Sequence, residues 1–260
     1  MKIGLIGCGN IGKFLLQSLN CDGFLPDSRI ETVYMRKKQS FKELSERYGS
    51  HFCDDFGDFL QSDIDLVIEA ATIQAVRLYA RTVIEHGKDL LIISVGALAD
   101  NGLFKQLKQL SELKGNKIHL PSGAIGGLDV LKATQLTGQL ESVTITTRKP
   151  AASLTDKAVD NELTLFDGPA FEAIRQFPKN INVSIILSLA GLGAEKTKVR
   201  IIADSNVTKN IHCIEATGPF GKFNLNIENN PMPNNPKTSY LAGLSILSTL
   251  KCRHEALEIG

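Results

Sequence analysis

The chain has 260 residues, with 29 Lys and Arg against 28 Asp and Glu and a formal net charge of +1. That length allows one large or two modest cores, and the near-neutral balance gives no global electrostatic reason to expect nucleic acid or an anionic membrane surface as a partner. Five cysteines, Cys8, Cys21, Cys53, Cys213 and Cys252, are odd in number, scattered and without a CxxC pair, which fits a reducing compartment and argues against a metal site.

Near Met1 nothing reads as a signal peptide, because the apolar run from Ile3 to Ile6 is short and interrupted by Gly4. The longest apolar stretch, Leu90 to Ala99, is too short to span a bilayer. A soluble, cytoplasmic protein is expected, so the Asn-x-Ser/Thr strings at Asn182 and Asn206 are not read as glycosylation acceptors.

In chain order, the first element is a strand at Lys2 to Ile6, which runs into Gly7-Cys8-Gly9-Asn10-Ile11-Gly12. A helix follows, with Ile11, Phe14, Leu15 and Leu19 on one face. Strand, glycine turn and helix in that order are the context in which GxGxxG binds a dinucleotide. Gly7 allows the tight turn, Gly9 lets backbone approach a pyrophosphate, Gly12 lets helix and strand pack, and the helix start at Asn10 and Ile11 turns its N–H groups to the phosphates.

Further strands are predicted at Ile30 to Tyr34, Leu66 to Ala70, Leu90 to Ser94 and Lys117 to Leu120, with helices at Phe41 to Tyr48, Ile73 to His86 and Gly102 to Lys114. Alternation of this kind predicts βαβ units and a Rossmann-type parallel sheet over residues 1–121.

The pattern changes after Pro121. Ser142 to Arg148, Lys198 to Ala203, Ile211 to Ala216 and Phe223 to Ile227 are rich in β-branched residues, and Thr217 to Lys222 reads as a hairpin turn. Helices are expected at Leu154 to Val159, Phe171 to Gln176 and Val183 to Leu189. The expected fold is thus α/β, with a smaller α+β domain at 122–236 built on a mainly antiparallel sheet. After the Pro-rich loop Asn230 to Pro236, a terminal helix within 237–260 carries Leu241, Leu244, Ile246, Leu247 and Leu250 and is expected to pack back onto the first domain.

A carboxylate at the end of the second strand is the usual partner of the adenine-ribose 2′-hydroxyl. Here that position reads Val33-Tyr34-Met35-Arg36-Lys37-Lys38. Met35 does not repel a 2′-phosphate, and Arg36 or its neighbours bind one if they are more than a solvated loop, so NADP is expected to serve at least as well as NAD. Asp54 and Asp55 are the alternative if the strand register is otherwise.

Five second-half motifs are more discriminating than the turn: Ser122-Gly-Ala-Ile-Gly-Gly-Leu-Asp129, Thr146-Thr-Arg-Lys-Pro150, Phe177-Pro-Lys-Asn-Ile-Asn-Val183, Asn210-Ile-His212 and Asn234-Asn-Pro-Lys-Thr-Ser239. With the glycine turn, and in this order, they resemble the L-aspartate dehydrogenase family over nearly the whole chain. The resemblance implies hydride transfer from the α-carbon of L-aspartate to NAD or NADP, giving iminoaspartate for NAD biosynthesis or, after hydrolysis, oxaloacetate and ammonia. It places His212 at the active-site histidine and Ala124 and Asn182 at cofactor-contacting positions. It also implies a homodimer, with 122–236 as the catalytic and dimerisation domain, an open sheet face being a common site of association.

The chemistry agrees with the residues. Oxidation at an amine-bearing carbon needs a neutral amine, hence a proton acceptor, and His212 is better placed than His51, His86, His119 or His254, which fall in loops, at element ends or in the tail. Two substrate carboxylates need cations and neutral donors, for which Arg148, Lys149, Lys179, Asn180, Lys237, Thr238 and Ser239 are the candidates. A cysteine nucleophile is excluded where the second domain begins, since Pro121 to Ala124 holds no thiol, and Cys213 points away from His212 if both lie on one strand. Alternatives are a reductase of the homoserine dehydrogenase or dihydrodipicolinate reductase type, or a non-catalytic dinucleotide sensor.

Overall fold

A computed structural model describes residues 1–36, 41–177, 182–232, 235–253 and 255–256. The chain divides into two compact units, one of Met1–Pro121 with the end of the terminal helix from Leu247, the other built on Ser122–Ile246.

The first unit carries a six-stranded sheet of β1 (Lys2–Ile6), β2 (Arg29–Tyr34), β3 (His51–Cys53), β4 (Leu66–Glu69), β5 (Asp89–Ile92) and β6 (Ile118–His119), in the order β3-β2-β1-β4-β5-β6. Every pair is parallel. Parallel strands covered on both faces should be apolar at consecutive positions, and Leu66, Val67, Ile68 and Glu69 are all buried. The helices are α1 (Asn10–Leu16), α2 (Phe41–Tyr48), α3 (Phe56–Gln61), α4 (Ile73–Glu85) and α5 (Asn101–Lys114). A π-helical turn at Gln17–Cys21 continues α1, so the predicted helix through Leu19 changes its hydrogen bonding before it ends. Asp55, Thr72 and Asp100 cap α3, α4 and α5 by accepting from backbone N–H groups.

In the second unit β7 (Ser142–Pro150), β8 (Glu162–Pro169), β9 (Thr197–Asp204), β10 (Asn210–Gly218) and β11 (Gly221–Asn229) form a sheet in the order β11-β10-β7-β9-β8. Only the β7–β9 pair is parallel, so the sheet is mainly antiparallel as expected. The hairpin between β10 and β11 turns on Pro219 and Phe220 alone, with Gly221 at φ 115°. Helices α6 (Leu128–Leu136), α7 (Ala170–Gln176) and α8 (Asn182–Ala190) complete the unit, and α9 (Tyr240–Cys252) is the terminal helix.

Several expectations are corrected. No helix forms at Leu154 to Val159, where a short 3-10 turn at Ala151–Ser153 gives way to irregular chain, and none of these residues is buried enough to anchor a helical face. Strands β3 and β8 and helices α3 and α6 were not anticipated. The Pro-rich loop contains a small hairpin of β12 (Pro231–Met232) and β13 (Asn235–Ser239), so the terminal helix starts at Tyr240 and not at 237.

Candidate functional site

The glycine turn leaves β1 at Ile6 and enters α1 at Asn10. Gly7 sits at φ 98°, and a Cβ there would lie 2.8 Å from the Ala71 Cβ and 2.9 Å from the Ala70 carbonyl oxygen. A Cβ on Gly12 would lie 2.4 Å from the Gly7 carbonyl oxygen, so both positions exclude any side chain. Gly9 differs: a Cβ there meets nothing within 4 Å, which leaves its backbone facing open space. Gly9 is also the N-cap of α1, and no side chain caps the helix there. Backbone donors beside an open glycine are what an anionic pyrophosphate requires, so the turn fits the dinucleotide. Asn10 is exposed and Ile11 half-buried at the helix start. Burial pushes the Cys8 thiol up, so it stays protonated and adds no negative charge beside the phosphates.

The turn is braced from β4 by a residue that sequence reasoning missed. Glu69, 2 % exposed, accepts hydrogen bonds from the Ala71 N–H at 2.8 Å and from the Ser94 N–H and hydroxyl, both at 2.9 Å. Burial raises its pKa, opposed by these donors. The carboxylate thereby fixes the chain at Ala71, which walls Gly7, and ties the end of β4 to the end of β5. An acidic residue closing the wholly apolar run Leu66-Val67-Ile68 was the signal available.

Strand β2 ends at Tyr34, as the sequence predicts. Met35 and the exposed Arg36 follow it, and Lys37 and Lys38 lie outside the described residues. Asp54 and Asp55 follow β3 instead, and Asp55 accepts from the Asp58 N–H at 2.9 Å as a helix cap.

In the second unit the register assembles a polar group on one sheet face. His212 of β10 pairs with Thr147 of β7, and residues opposite each other in an antiparallel pair share a face. The Thr147 hydroxyl and His212 Nδ1 are 3.0 Å apart, with both residues buried. Lys149, two residues along β7, shares that face. Burial, reinforced by the Lys149 charge, lowers the His212 pKa to about 3, so the imidazole is neutral at physiological pH. Burial likewise lowers the pKa of Lys149.

Across β11 the same face carries Asn229, which pairs with Asn210. Its amide nitrogen donates to the Ala124 carbonyl at 3.1 Å. Ser245 accepts from the Gly123 N–H at 3.1 Å, so the loop of Ser122 to Gly127 is held at two successive residues. Ala124 is thus joined to the histidine face through Asn229, another residue the sequence did not single out.

Other candidates are distributed differently. Arg148 faces the opposite side of the sheet and is engaged by Glu162 and Asp204, which corrects its expected place among the substrate cations. Cys213 also faces that side, where its thiol lies 3.4 Å from the Asn224 side-chain oxygen, so no thiolate–imidazole pair forms. Asn182 opens α8, Lys237 and Thr238 lie in β13, and Ser239, buried, pairs with Pro231. Lys179 and Asn180 lie outside the described residues. Among the described residues no group of His, Cys, Asp and Glu could hold a metal ion, and no helix is long and apolar enough to cross a membrane.

A glycine-turn parallel sheet joined to a unit with a buried polar face belongs to the NAD(P)-dependent dehydrogenases, and the chain is an oxidoreductase of that class. The family profile "Homoserine dehydrogenase, NAD binding domain" matches residues 7–121, and "Aspartate dehydrogenase, C-terminal" matches residues 129–253. The L-aspartate dehydrogenases of Methanocaldococcus jannaschii and Methanospirillum hungatei are 42% and 43% identical to the chain, in each case over 100% of this chain and 99% of the relative. The chain belongs to the L-aspartate dehydrogenase family.

A crystal structure of aspartate dehydrogenase from Thermotoga maritima superposes with TM-score 0.83 and 31% identity, covering 100% of this chain and 99% of that one. A scyllo-inositol dehydrogenase from Lactobacillus casei, at 14% identity and TM-score 0.58 over 96% of this chain and 85% of its own, shares the fold alone.

Proposed function

We propose that the protein oxidises L-aspartate to iminoaspartate with NAD or NADP, the imine then being hydrolysed to oxaloacetate and ammonia or passed to NAD biosynthesis. The observation that carries this reading is the buried Thr147–His212 pair, with half-buried Lys149 on the same face, within a chain whose full-length relatives are named L-aspartate dehydrogenases. Gly7, Gly9, Asn10, Ile11 and Gly12 are the residues proposed to hold the pyrophosphate, with Ala124 and Asn182 against the rest of the cofactor. The nicotinamide supplies the hydride acceptor.

His212 acts on protons. With Nδ1–H donated to the Thr147 hydroxyl, Nε2 carries the lone pair that takes a proton from the substrate ammonium, so that the amine is neutral when hydride leaves the α-carbon. In the free protein this imidazole is a weak base. Two substrate carboxylates beside it offset the Lys149 charge and raise its proton affinity, so basicity develops when substrate is present. Lys149, Lys179, Asn180, Lys237, Thr238 and Ser239 are the proposed carboxylate partners.

Reduced-nicotinamide absorbance, followed with a panel of amino acids, tests the reaction. Turnover with aspartate is expected, whereas turnover with homoserine and not aspartate, or binding without turnover, would replace this reading. The same assay tests Arg36. NADP should be used at least as well as NAD, and Arg36→Ala should raise KM for NADP about tenfold while leaving NAD within about twofold. A strong wild-type preference for NAD would discard the role of Arg36.

We further propose a cytoplasmic homodimer joined through the sheet face opposite His212. That face is polar, with Thr144, Thr146, Cys213 and Glu215 half-buried and Asn224 and Asn226 exposed, so association there rests on hydrogen bonds more than on apolar burial. Sedimentation equilibrium should give twice the chain mass, and a Glu215→Arg, Asn224→Arg double variant should give the monomer. A monomeric wild type would end the proposal.

A further inference from the structure

Two buried side-chain oxygens of the second unit, Thr197 Oγ1 and Asn229 Oδ1, have no hydrogen-bond partner among the described residues, and the second lies on the face of His212. Asn229 is 3 % exposed, and its side-chain oxygen Oδ1 makes no hydrogen bond. The amide orientation is fixed chemically: the Ala124 carbonyl only accepts, so the atom 3.1 Å from it is the donor Nδ2 and the remaining atom is an acceptor. A buried acceptor left alone opposes folding, and such groups are expected to find a partner when the site is filled.

Its position says which partner. Asn229 pairs with Asn210 and His212 pairs with Ile227, so Asn229 and His212 are diagonal neighbours on one face, at a Cα separation on the order of 7–8 Å. Oδ1 accepts hydrogen bonds and cannot donate. The two carboxylates of L-aspartate are acceptors also, which leaves the α-amino group as the only donor the ionised substrate carries. The group whose proton His212 is to receive is therefore the one that answers the acceptor beside it.

We propose that Asn229 is a substrate-binding residue whose Oδ1 accepts a hydrogen bond from the α-amino group of L-aspartate. The proposal rests on the aspartate reading above and adds the residue that recognises the amine. An uncharged acceptor suits that task. A carboxylate in its place would hold the ammonium form and oppose loss of the proton that must precede hydride transfer, whereas an amide oxygen orients an N–H without fixing the cation. Its other end holds Ala124, so one side chain links the substrate amine to the loop of Ser122 to Gly127.

Succinate is L-aspartate without the amino group, and it separates this role from a structural one. At saturating NAD(P), Asn229→Leu should weaken L-aspartate about tenfold or more relative to succinate, because the bond to Ala124 that is lost with it bears on both ligands alike. A second variant, Asn229→Asp, keeps an acceptor oxygen. It should retain aspartate binding but shift the kcat profile to higher pH, because the ammonium form is then favoured.

Equal weakening of aspartate and succinate in Asn229→Leu would overturn the proposal by showing general damage to the site. Loss confined to NAD(P) would leave Asn229 only its tether to Ala124 and overturn the proposal, as would no change in any ligand. Should Asn229→Leu fail to fold, the pH profile of Asn229→Asp decides alone, an unshifted profile being the negative result. Wild-type turnover of aspartate, measured alongside, keeps failure of this inference distinct from failure of the substrate assignment.

Discussion

His212→Ala should reduce kcat for L-aspartate by about 10²–10⁴-fold with KM for NAD(P) unchanged, the range over which a positioned proton acceptor contributes. The glycine turn proposed to hold the cofactor lies in the first unit and the histidine in the second, so the two losses are separable. Near full turnover in a folded variant would remove His212 from the mechanism.

A second signature follows from its titration. In the folded protein the imidazole stays neutral down to about pH 3, whereas in the unfolded chain it takes a proton near its ordinary value of 6.5. Between those values the unfolded state binds the extra proton, so stability is lost as pH falls. From pH 7 to pH 5 the wild type should therefore lose about 2 kcal/mol more than His212→Ala, read from urea midpoints at the two pH values. Equal losses would mean that the imidazole is not shielded as the β7–β10 face implies.

The glycine turn provides the second large effect, as a contrast between two single methyl groups. Gly12→Ala places a Cβ 2.4 Å from the Gly7 carbonyl oxygen, a backbone atom that cannot move without opening the turn. It should cost about 1–3 kcal/mol of stability and raise KM for NAD(P) at least tenfold. Gly9→Ala meets no protein atom within 4 Å, so it should melt with the wild type. Its methyl group nonetheless occupies the space where a pyrophosphate must approach the backbone, and KM for NAD(P) should again rise about tenfold or more. A Gly9→Ala protein that binds cofactor normally would place the phosphates elsewhere.

The first unit was the more legible in sequence because its signals are local. Strand, glycine turn and helix are contiguous, and the apolar runs at Leu66 and Leu90 each report a buried strand without reference to any other part of the chain. Strand β3 escaped because three residues, His51, Phe52 and Cys53, are too few for a period to show. In the second unit the β8 sequence is largely exposed and hides its alternation, and Leu154 to Val159 imitates a helix that nothing packs against.

Which strands neighbour one another is set by pairing across long separations, and period-two patterns are silent on that. His212 was legible as a motif residue, whereas its partners were not. Thr147 is a partner through the β7–β10 register, Asn229 reaches the face through β10–β11, and Arg148 was misplaced because one residue of offset on a strand changes the side of the sheet.

Thr147 and His212 stand 65 residues apart in sequence. The weak basicity of the histidine is thus produced by tertiary closure and by nothing in its own neighbourhood along the chain. A chain whose second sheet is still open carries an ordinary imidazole, so the depressed proton affinity of this one side chain reports closure of the β7–β10 pairing.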